Sequence, residues 1–147
     1  MAKKHEVLDK EKEQEMQKKY VQLHMFREQF KAMAEERSVL ENRLSELQFT
    51  MDTLQKLDGV KSGEEIWSTI GSGAFLHNTM KDTESVLITV GSGVVVRKTR
   101  KEALETLQSR MDELKSVGGQ MDTELQKYAL QIQRIETQLQ SMVERQD

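Results

Sequence analysis

The sequence predicts an α+β fold in which a long antiparallel two-helix coiled coil is joined by two β-hairpins. Both ends of the chain repeat apolar residues with heptad spacing, as the helices of a coiled coil do. The middle contains two Gly-Ser-Gly turns, one between Ile70 and Ala74 and one between Val90 and Val94, each beside apolar and β-branched residues. Proline is absent, so no proline ring interrupts a helix.

The first arm of the coiled coil is predicted over residues 1–58. Its apolar residues alternate at spacings of three and four, which is the a and d pattern of a coiled coil. The a series is Met16, Leu23, Phe30, Arg37, Leu44 and Met51, and the d series is Lys19, Phe26, Met33, Leu40, Leu47 and Leu54. Arg37 is the one exception in the middle of this seam. We expect the helix to end near Gly59, since glycine favours helix termination.

Residues 59–99 are predicted to form the double hairpin, with strands at 65–70, 74–80, 85–90 and 94–99. The two hairpins would make a small sheet with open edges, which favour pairing with the strands of another chain in a closed or stacked assembly. We expect Val86, Ile88 and Val90 on one face and Leu87 on the other. The predicted oligomerisation residues are Ile66, Trp67, Ile70, Phe75, Val86, Ile88, Val90, Val94 and Val96. Packing into that assembly is the favoured role of Trp67.

The second arm is predicted over residues 100–147. The two arms and the double hairpin together are predicted to form one structural domain. The a series of the second arm is Leu104, Met111, Gly118, Leu125, Ile132 and Leu139, and its d series is Leu107, Leu114, Met121, Tyr128, Ile135 and Met142. Gly118 buries no side chain, and Gly119 follows it. Two adjacent glycines each weaken a helix by about 1 kcal/mol relative to alanine. They indicate either a hinge in the arm or a tolerated defect, and both interpretations stay open.

The composition excludes several classes of function. The chain has 22 basic and 25 acidic residues and a net charge of −3, which disfavours nucleic-acid binding. It has no cysteine, which excludes disulfides, thiolate catalysis and cysteine zinc sites. The first residues lack the apolar core of a signal peptide, and no apolar run approaches the length of a membrane span. We therefore expect a cytoplasmic protein that contacts neither membrane nor nucleic acid.

No enzyme site is expected either. The Gly-Ser-Gly turns are not followed by the Gly-Lys-Ser/Thr of a phosphate-binding loop. The three histidines, His5, His24 and His77, lie far apart and lack the spacing of metal ligands. A short basic cluster at Lys98, Arg100 and Lys101 is predicted to be a solvated face, with contact to a partner as the alternative. The expectation is a protein without catalytic residues, metal or cofactor.

The order of a long helix, two hairpins and a long helix resembles, over essentially the whole chain, the α-class subunits of the prefoldin family, of the archaeal type; the sequence-specific part covers residues 64–104. The resemblance lies in the runs 70–76 and 90–96, in Lys81-Asp82-Thr83 and in the run 97–104. The first strand departs from the family pattern, since the family tends to have apolar-Pro-apolar where this chain has Ile66-Trp-Ser-Thr-Ile70. The resemblance implies a hexamer of two α-class and four β-class subunits, with the hairpins assembled into an oligomeric β-barrel platform. It also implies that six coiled coils hold unfolded proteins without nucleotide and pass them to a group II chaperonin.

A holding function requires apolar side chains that water can reach. We expect apolar content to broaden towards the arm tips and to narrow to the a and d leucines near the sheet. The predicted client-binding residues are Tyr20, Val21, Leu23, Met25, Phe26, Phe30, Leu130, Ile132, Ile135, Leu139, Met142 and Val143. Flexible methionines suit such promiscuous binding. For the a and d members, filling the coiled-coil seam is an equal alternative. The alternative function is a structural coiled-coil scaffold or filament module without client binding.

Overall fold

The computed structural model describes the backbone of residues 2–144 and the side chains of residues 7–144. Helix α1 covers Ala2–Lys56 and continues into a short 3-10 turn at Leu57–Gly59. The strands are β1 (Glu65–Gly71), β2 (Ala74–Thr79), β3 (Ser85–Gly91) and β4 (Val94–Thr99), and helix α2 covers Arg100–Glu144. The predicted fold class, two long helices with two hairpins between them, is confirmed. No described helix has a stretch long and apolar enough to cross a membrane.

The two hairpins repeat one backbone geometry. Trp67 pairs with His77 in the first hairpin, and Leu87 pairs with Arg97 at the corresponding place in the second. Ser72 and Ser92 have φ angles of 50° and 46°. The glycine after each serine also has a positive φ, as a type I′ turn requires at both central positions. The repeated sequence therefore encodes a repeated turn and register.

We expected the two hairpins to join into one small sheet, but they do not. Each is a separate two-stranded antiparallel sheet, β1 with β2 and β3 with β4. The backbone of Met80 bonds back to Glu64 and Gly63, which keeps it with the first hairpin. Asp82 then accepts hydrogen bonds from the backbone N–H groups of Glu84, at 2.8 Å, and Ser85, at 3.3 Å. These local bonds turn the chain between β2 and β3, so the two strands do not pair.

The chain divides into two compact units, which are described separately. The first, the hairpin unit, comprises residues 42–115. Its buried core is formed by Met51, Leu54, Ile88, Ala103, Leu107 and Met111. The second hairpin contributes Ile88 to this core and packs Val86 against it, whereas no residue of the first hairpin belongs to the core. The second hairpin is thus held by helices of its own chain.

A capping box begins helix α2 in the hairpin unit. The Thr99 N–H donates to a Glu102 carboxylate oxygen at 2.9 Å, and the Glu102 N–H donates to Thr99 Oγ1 at 3.2 Å. These bonds satisfy donors that the first helical turn would otherwise leave free. The bonds from Thr99 hold the pKa of Glu102 below its ordinary value.

The second unit, called the arm unit, comprises residues 1–41 and 116–147. In its described part Leu23, Ile135 and Leu139 form the buried core cluster, and Leu40 is buried outside that cluster. The ring centroids of Phe26 and Tyr128 lie 6.1 Å apart beside this core. The two helices thus share an apolar seam at the predicted a and d positions.

The two exceptions in the seams, Arg37 and Gly118, lie opposite each other in the arm unit. A Cβ atom at Gly118 would lie 3.2 Å from Cδ2 of Leu40 and 3.5 Å from Cζ of Arg37. Arg37 donates from Nε and Nη2 to the two oxygens of Asp122 at 2.8 and 3.3 Å. The hydrogen bond with Asp122 raises the pKa of Arg37. The absence of a side chain at Gly118 lets Leu40 pack closely against α2, with the Arg37 guanidinium at ordinary contact distance beside it. Helix α2 stays helical through both glycines.

Candidate functional site

The apolar side chains predicted outside the seam are exposed. Val21 and Leu130 keep 67% and 65% of their surface accessible, and Tyr20, Met25 and Val143 are also exposed. All lie in the arm unit, on parts of α1 and α2 that are far in sequence from the hairpins. We call these five residues the arm-end surface.

The arm-end surface arises because its residues occupy positions that face away from the partner helix. Leu23 occupies an a position and lies in the seam. Tyr20, Val21 and Met25 occupy neither a nor d positions, so they remain outside the seam. Val21 and Met25 are four residues apart and therefore lie on the same face of the helix, one turn apart. They form a small contiguous apolar patch on α1.

The seam members of the predicted client-binding set have a different environment. Leu23, Ile135 and Leu139 are buried in the arm-unit core, and the rest are half-buried. The half-buried members are Phe26, Phe30, Ile132 and Met142. While the helices are paired, the three buried side chains are not accessible to a client. Their position favours the alternative that they fill the seam.

Exposed apolar residues are not confined to the arm ends, contrary to the expected narrowing near the sheet. Phe49 in the hairpin unit is 74% exposed, and Val39 and Val117 are exposed in the arm unit. None of the three occupies an a or d position, and this signal could have identified them in the sequence. Phe49 has polar residues one turn away on either side, at Glu46 and Thr53. It is therefore an isolated apolar side chain, which is common on protein surfaces.

The hairpins expose most of the predicted oligomerisation residues. Val86 and Ile88 pack towards the helices, and Ile66 and Val96 are half-buried. The exposed members are Trp67, Ile70, Phe75, Val90 and Val94, and the prediction omitted Leu76, Leu87 and Val95, which are also exposed. Each omitted residue is next in sequence to a residue that was included. Because neighbouring side chains of a strand point to opposite faces, the strand pattern could have identified the omitted residues as the apolar side chains of the other face.

Val90 is less covered than Val86 and Ile88 on the same strand. It is 45% exposed, yet it lines an open cleft with Thr106 and Arg110 of α2. The register shifts between Thr89 and Gly91, where the strand enters its turn. The hairpin-unit core therefore includes Ile88 and contacts Val86, but does not reach Val90. Leu87, as predicted, faces away from that core.

The exposed face of the first hairpin contains an aromatic stack. The rings of Trp67 and His77 lie 4.7 Å apart with their planes at 24°. His77 Nε2 is 3.3 Å from a carboxylate oxygen of Glu65. Trp67 thus packs on its own hairpin, and its predicted packing into an assembly stays a prediction.

The basic cluster at the start of α2 is not a solvated face throughout. The Arg100 guanidinium is largely buried and pairs with the carboxylates of Asp58 and Glu84. Lys98 Nζ donates to Thr106 Oγ1 at 2.9 Å. Arg100 therefore ties together the end of α1, the link between the hairpins and the start of α2. Neutralisation by two acidic partners explains why this arginine is tolerated with so little exposure.

The described residues offer no group suited to bind a metal ion. Among them, no three or more His, Cys, Asp or Glu side chains lie close enough together. His24 and His77 fall in different units, and His5 lies outside the described side chains. What the described surface presents is exposed apolar area at the arm ends and on the hairpins.

Comparison with known proteins supports the same architecture. The family model for prefoldin subunits matches residues 26–145. Prefoldin subunit alpha of Methanococcus maripaludis is 24% identical over 114 residues, which cover 78% of this chain and 77% of that protein. The match to the family model begins at Phe26, so Tyr20, Val21 and Met25 precede it.

Solved structures share the fold. The cryo-EM structure of filamentous PFD from Methanocaldococcus jannaschii superposes with a TM-score of 0.70 at 16% identity, covering 78% of this chain and 95% of that one. The crystal structure of the prefoldin beta subunit from Thermococcus strain KS-1 gives a TM-score of 0.57 at 14% identity, covering 86% and 90%. The two hairpins, the paired helices and the matched range together establish that this chain belongs to the prefoldin family, as an alpha-type subunit.

Proposed function

We propose that the chain is an ATP-independent holdase subunit that captures unfolded proteins on its arm-end surface. Membership of the prefoldin family makes it a chaperone-type subunit. The observation that supports client capture is the exposure of Tyr20, Val21 and Met25 on α1 and of Leu130 and Val143 on α2. These side chains stabilise neither core of the chain, so they are free to contact another protein.

Capture follows from the hydrophobic effect. Each square ångström of apolar surface that a client covers contributes about 25 cal/mol. A patch of a few side chains therefore binds weakly, and binding by several arms at once would raise the effective affinity. Met25 suits clients of varied shape because its side chain is flexible and polarizable. No nucleotide or other cofactor is part of this mechanism.

Assembly through the hairpins would bring several arms together. The first hairpin packs on neither described core, and both hairpins present exposed apolar residues such as Trp67, Phe75 and Leu87. The family resemblance supports a cytoplasmic hexamer, with a second alpha-type chain and four β-class subunits. It also supports delivery of clients to a group II chaperonin.

The test is suppression of aggregation of a denatured protein, followed by light scattering, with and without a β-class partner. The triple variant Tyr20→Ser, Val21→Ser, Met25→Ser should suppress aggregation less than the natural chain. Phe49→Ser is the matched control, because it removes an exposed but isolated apolar side chain. Size-exclusion chromatography checks that every variant assembles. Undiminished suppression by a properly assembled triple variant would refute client capture by this surface.

A structural scaffold or filament module is the second candidate. It is favoured by the exposed hairpin faces, and a protein of the same fold has been solved as filamentous PFD. Under this alternative, the chain would form long polymers visible by electron microscopy and would leave aggregation of the denatured protein unchanged. Aggregation suppression by short, discrete assemblies would decide for the holdase.

A further inference from the structure

Met25 differs from the other methionines of the chain in its exposure. Of the methionines whose side chains the structure describes, it alone is exposed, with 52% of its surface accessible. Met51 and Met111 are buried in the hairpin-unit core, at 6% and 3%. The others are half-buried, namely Met16, Met33, Met80, Met121 and Met142. Among these eight methionines, a reagent in solution therefore has most direct access to Met25.

The surroundings of Met25 separate it from the structural core. Leu23, two residues earlier, fills the arm-unit core, and Phe26, directly after, is half-buried beside that core. Met25 points away from the seam, and its neighbour one turn earlier is the exposed Val21. A change in the polarity of Met25 thus alters the arm-end surface without disturbing the packing of Leu23 against Ile135 and Leu139.

We propose that Met25 is a reversible oxidation site for hydroperoxides, and that its oxidation lowers client capture; the second part rests on the proposed function. The thioether sulfur attacks one oxygen of hydrogen peroxide, an S–O bond forms as the O–O bond breaks, and water leaves after proton transfer. Sulfur loses two electrons and the peroxide gains them. A methionine sulfoxide reductase reverses the change with two thiols, which form a disulfide while the oxygen leaves as water.

The functional consequence follows from polarity. A sulfoxide is polar, so burying it against an apolar client is less favourable than burying a thioether. The residue is already solvated, so its oxidised form needs no rearrangement of the helix. Oxidation of a buried methionine such as Met51 would instead introduce a polar group into a core. Met25 can therefore change the surface reversibly, whereas oxidation of the core methionines would damage the fold.

The experiment treats the purified full-length chain with dilute hydrogen peroxide and maps the tryptic peptides by mass spectrometry. Cleavage after Lys and Arg releases Met25 in the peptide 20–27 and Met33 in the peptide 32–37, each without a second methionine. We expect Met25 to oxidise about three- to tenfold faster than Met33, since access controls the rate. Aggregation suppression should then fall by about twofold or more, as expected when an exposed apolar contact becomes polar.

Two controls test whether oxidation of Met25 causes the loss of aggregation suppression. Met25→Leu has an apolar side chain that peroxide does not oxidise, so the treated variant should suppress aggregation as well as the same variant before treatment, whatever its level relative to the natural chain. Treatment with a methionine sulfoxide reductase and a thiol should restore the natural chain. Circular dichroism should show unchanged helix content throughout.

Three results would count against the proposals. Faster oxidation of Met33 than of Met25 overturns the assignment of the site. Full suppression by a chain oxidised at Met25 overturns its effect on capture. A chain that fails to suppress aggregation even before oxidation overturns the proposed function instead, while the peptide map still decides whether Met25 is the oxidation site.

Discussion

The close packing of Leu40 against Gly118 leads to a prediction in which the two adjacent glycines behave differently. In the interior of a helix, replacing glycine by alanine stabilises the fold by about 0.5–1 kcal/mol, because alanine loses less conformational freedom. No neighbouring atom lies within 4 Å of a Cβ at Gly119. Gly119→Ala should therefore gain the full amount, and the melting temperature should rise by about 2–4 °C per kcal/mol.

At Gly118 the same change meets an opposing steric cost. The Cβ of an alanine at this position would lie 3.2 Å from Cδ2 of Leu40, which is closer than ordinary van der Waals contact. The Leu40 side chain would therefore have to shift. We expect Gly118→Ala to lose most or all of the propensity gain, so that it is less stable than Gly119→Ala by about 0.5–1 kcal/mol. Gly118→Leu should overpack the seam and destabilise the chain by about 1–3 kcal/mol.

Thermal unfolding of the full chain, followed by circular dichroism at fixed protein concentration, measures these differences. Fixed concentration matters because association shifts apparent stability. Equal stabilisation by Gly118→Ala and Gly119→Ala would refute the packing explanation. A stable Gly118→Leu variant would refute it as well, and would return the glycine pair to the interpretation of a tolerated defect.

Three further predictions concern the hairpin unit. Ile88→Ala should destabilise the chain by about 2–5 kcal/mol in thermal unfolding, because the side chain is 7% exposed in the core. Leu87→Ala, next to it and 68% exposed, should weaken assembly in sedimentation experiments and should leave unfolding unchanged at a protein concentration where the chains are monomeric; equal losses of stability by the two variants at that concentration would contradict the assignment of the two faces. Thr99→Ala removes the helix cap and should cost about 1 kcal/mol of unfolding free energy, and no change would show that the capping box is dispensable. Hydrogen bonds hold the pKa values of Asp82 and Glu102 below their ordinary 3.8 and 4.5 in the folded chain, so the unfolded chain binds more protons. Their contribution should be complete above about pH 5 and be lost as the pH falls through the lowered pKa values, and a melting temperature that stays constant during acidification would contradict this.

Local patterns in the sequence predicted the elements because each element has a strong local cause. The heptad repeats predicted which side chains of each helix face the seam, and the turns at Ser72 and Ser92 fixed the hairpin register. Separation of the two sheets was missed because it depends on hydrogen bonds of Met80 and Asp82 that no periodicity reveals. A local cause is therefore predictable where it leaves a repeated pattern in the sequence, and is missed where it does not.

Long-range pairing was less predictable. Arg37 and Gly118 were predicted only as two unrelated exceptions in the seams, since nothing in either heptad series says which residues of the other helix lie opposite. Arg100 looked solvated because its partners, Asp58 and Glu84, come from two other segments. Exposure of the arm-end surface was predictable from its off-seam positions, and Phe49 was missed although it shares that property.

Client contact at the arm ends is most directly measured by site-specific photo-crosslinking. A photoreactive amino acid replaces Val21 in one sample and Phe49 in another, and each is illuminated with an unfolded protein and with the same protein folded. Both positions are strongly exposed, so exposure alone does not distinguish them. We predict crosslinks from position 21 to the unfolded protein only, with few from position 49. Crosslinks that are as frequent from position 49, or absent from position 21 while aggregation is still suppressed, would contradict client capture by the arm-end surface.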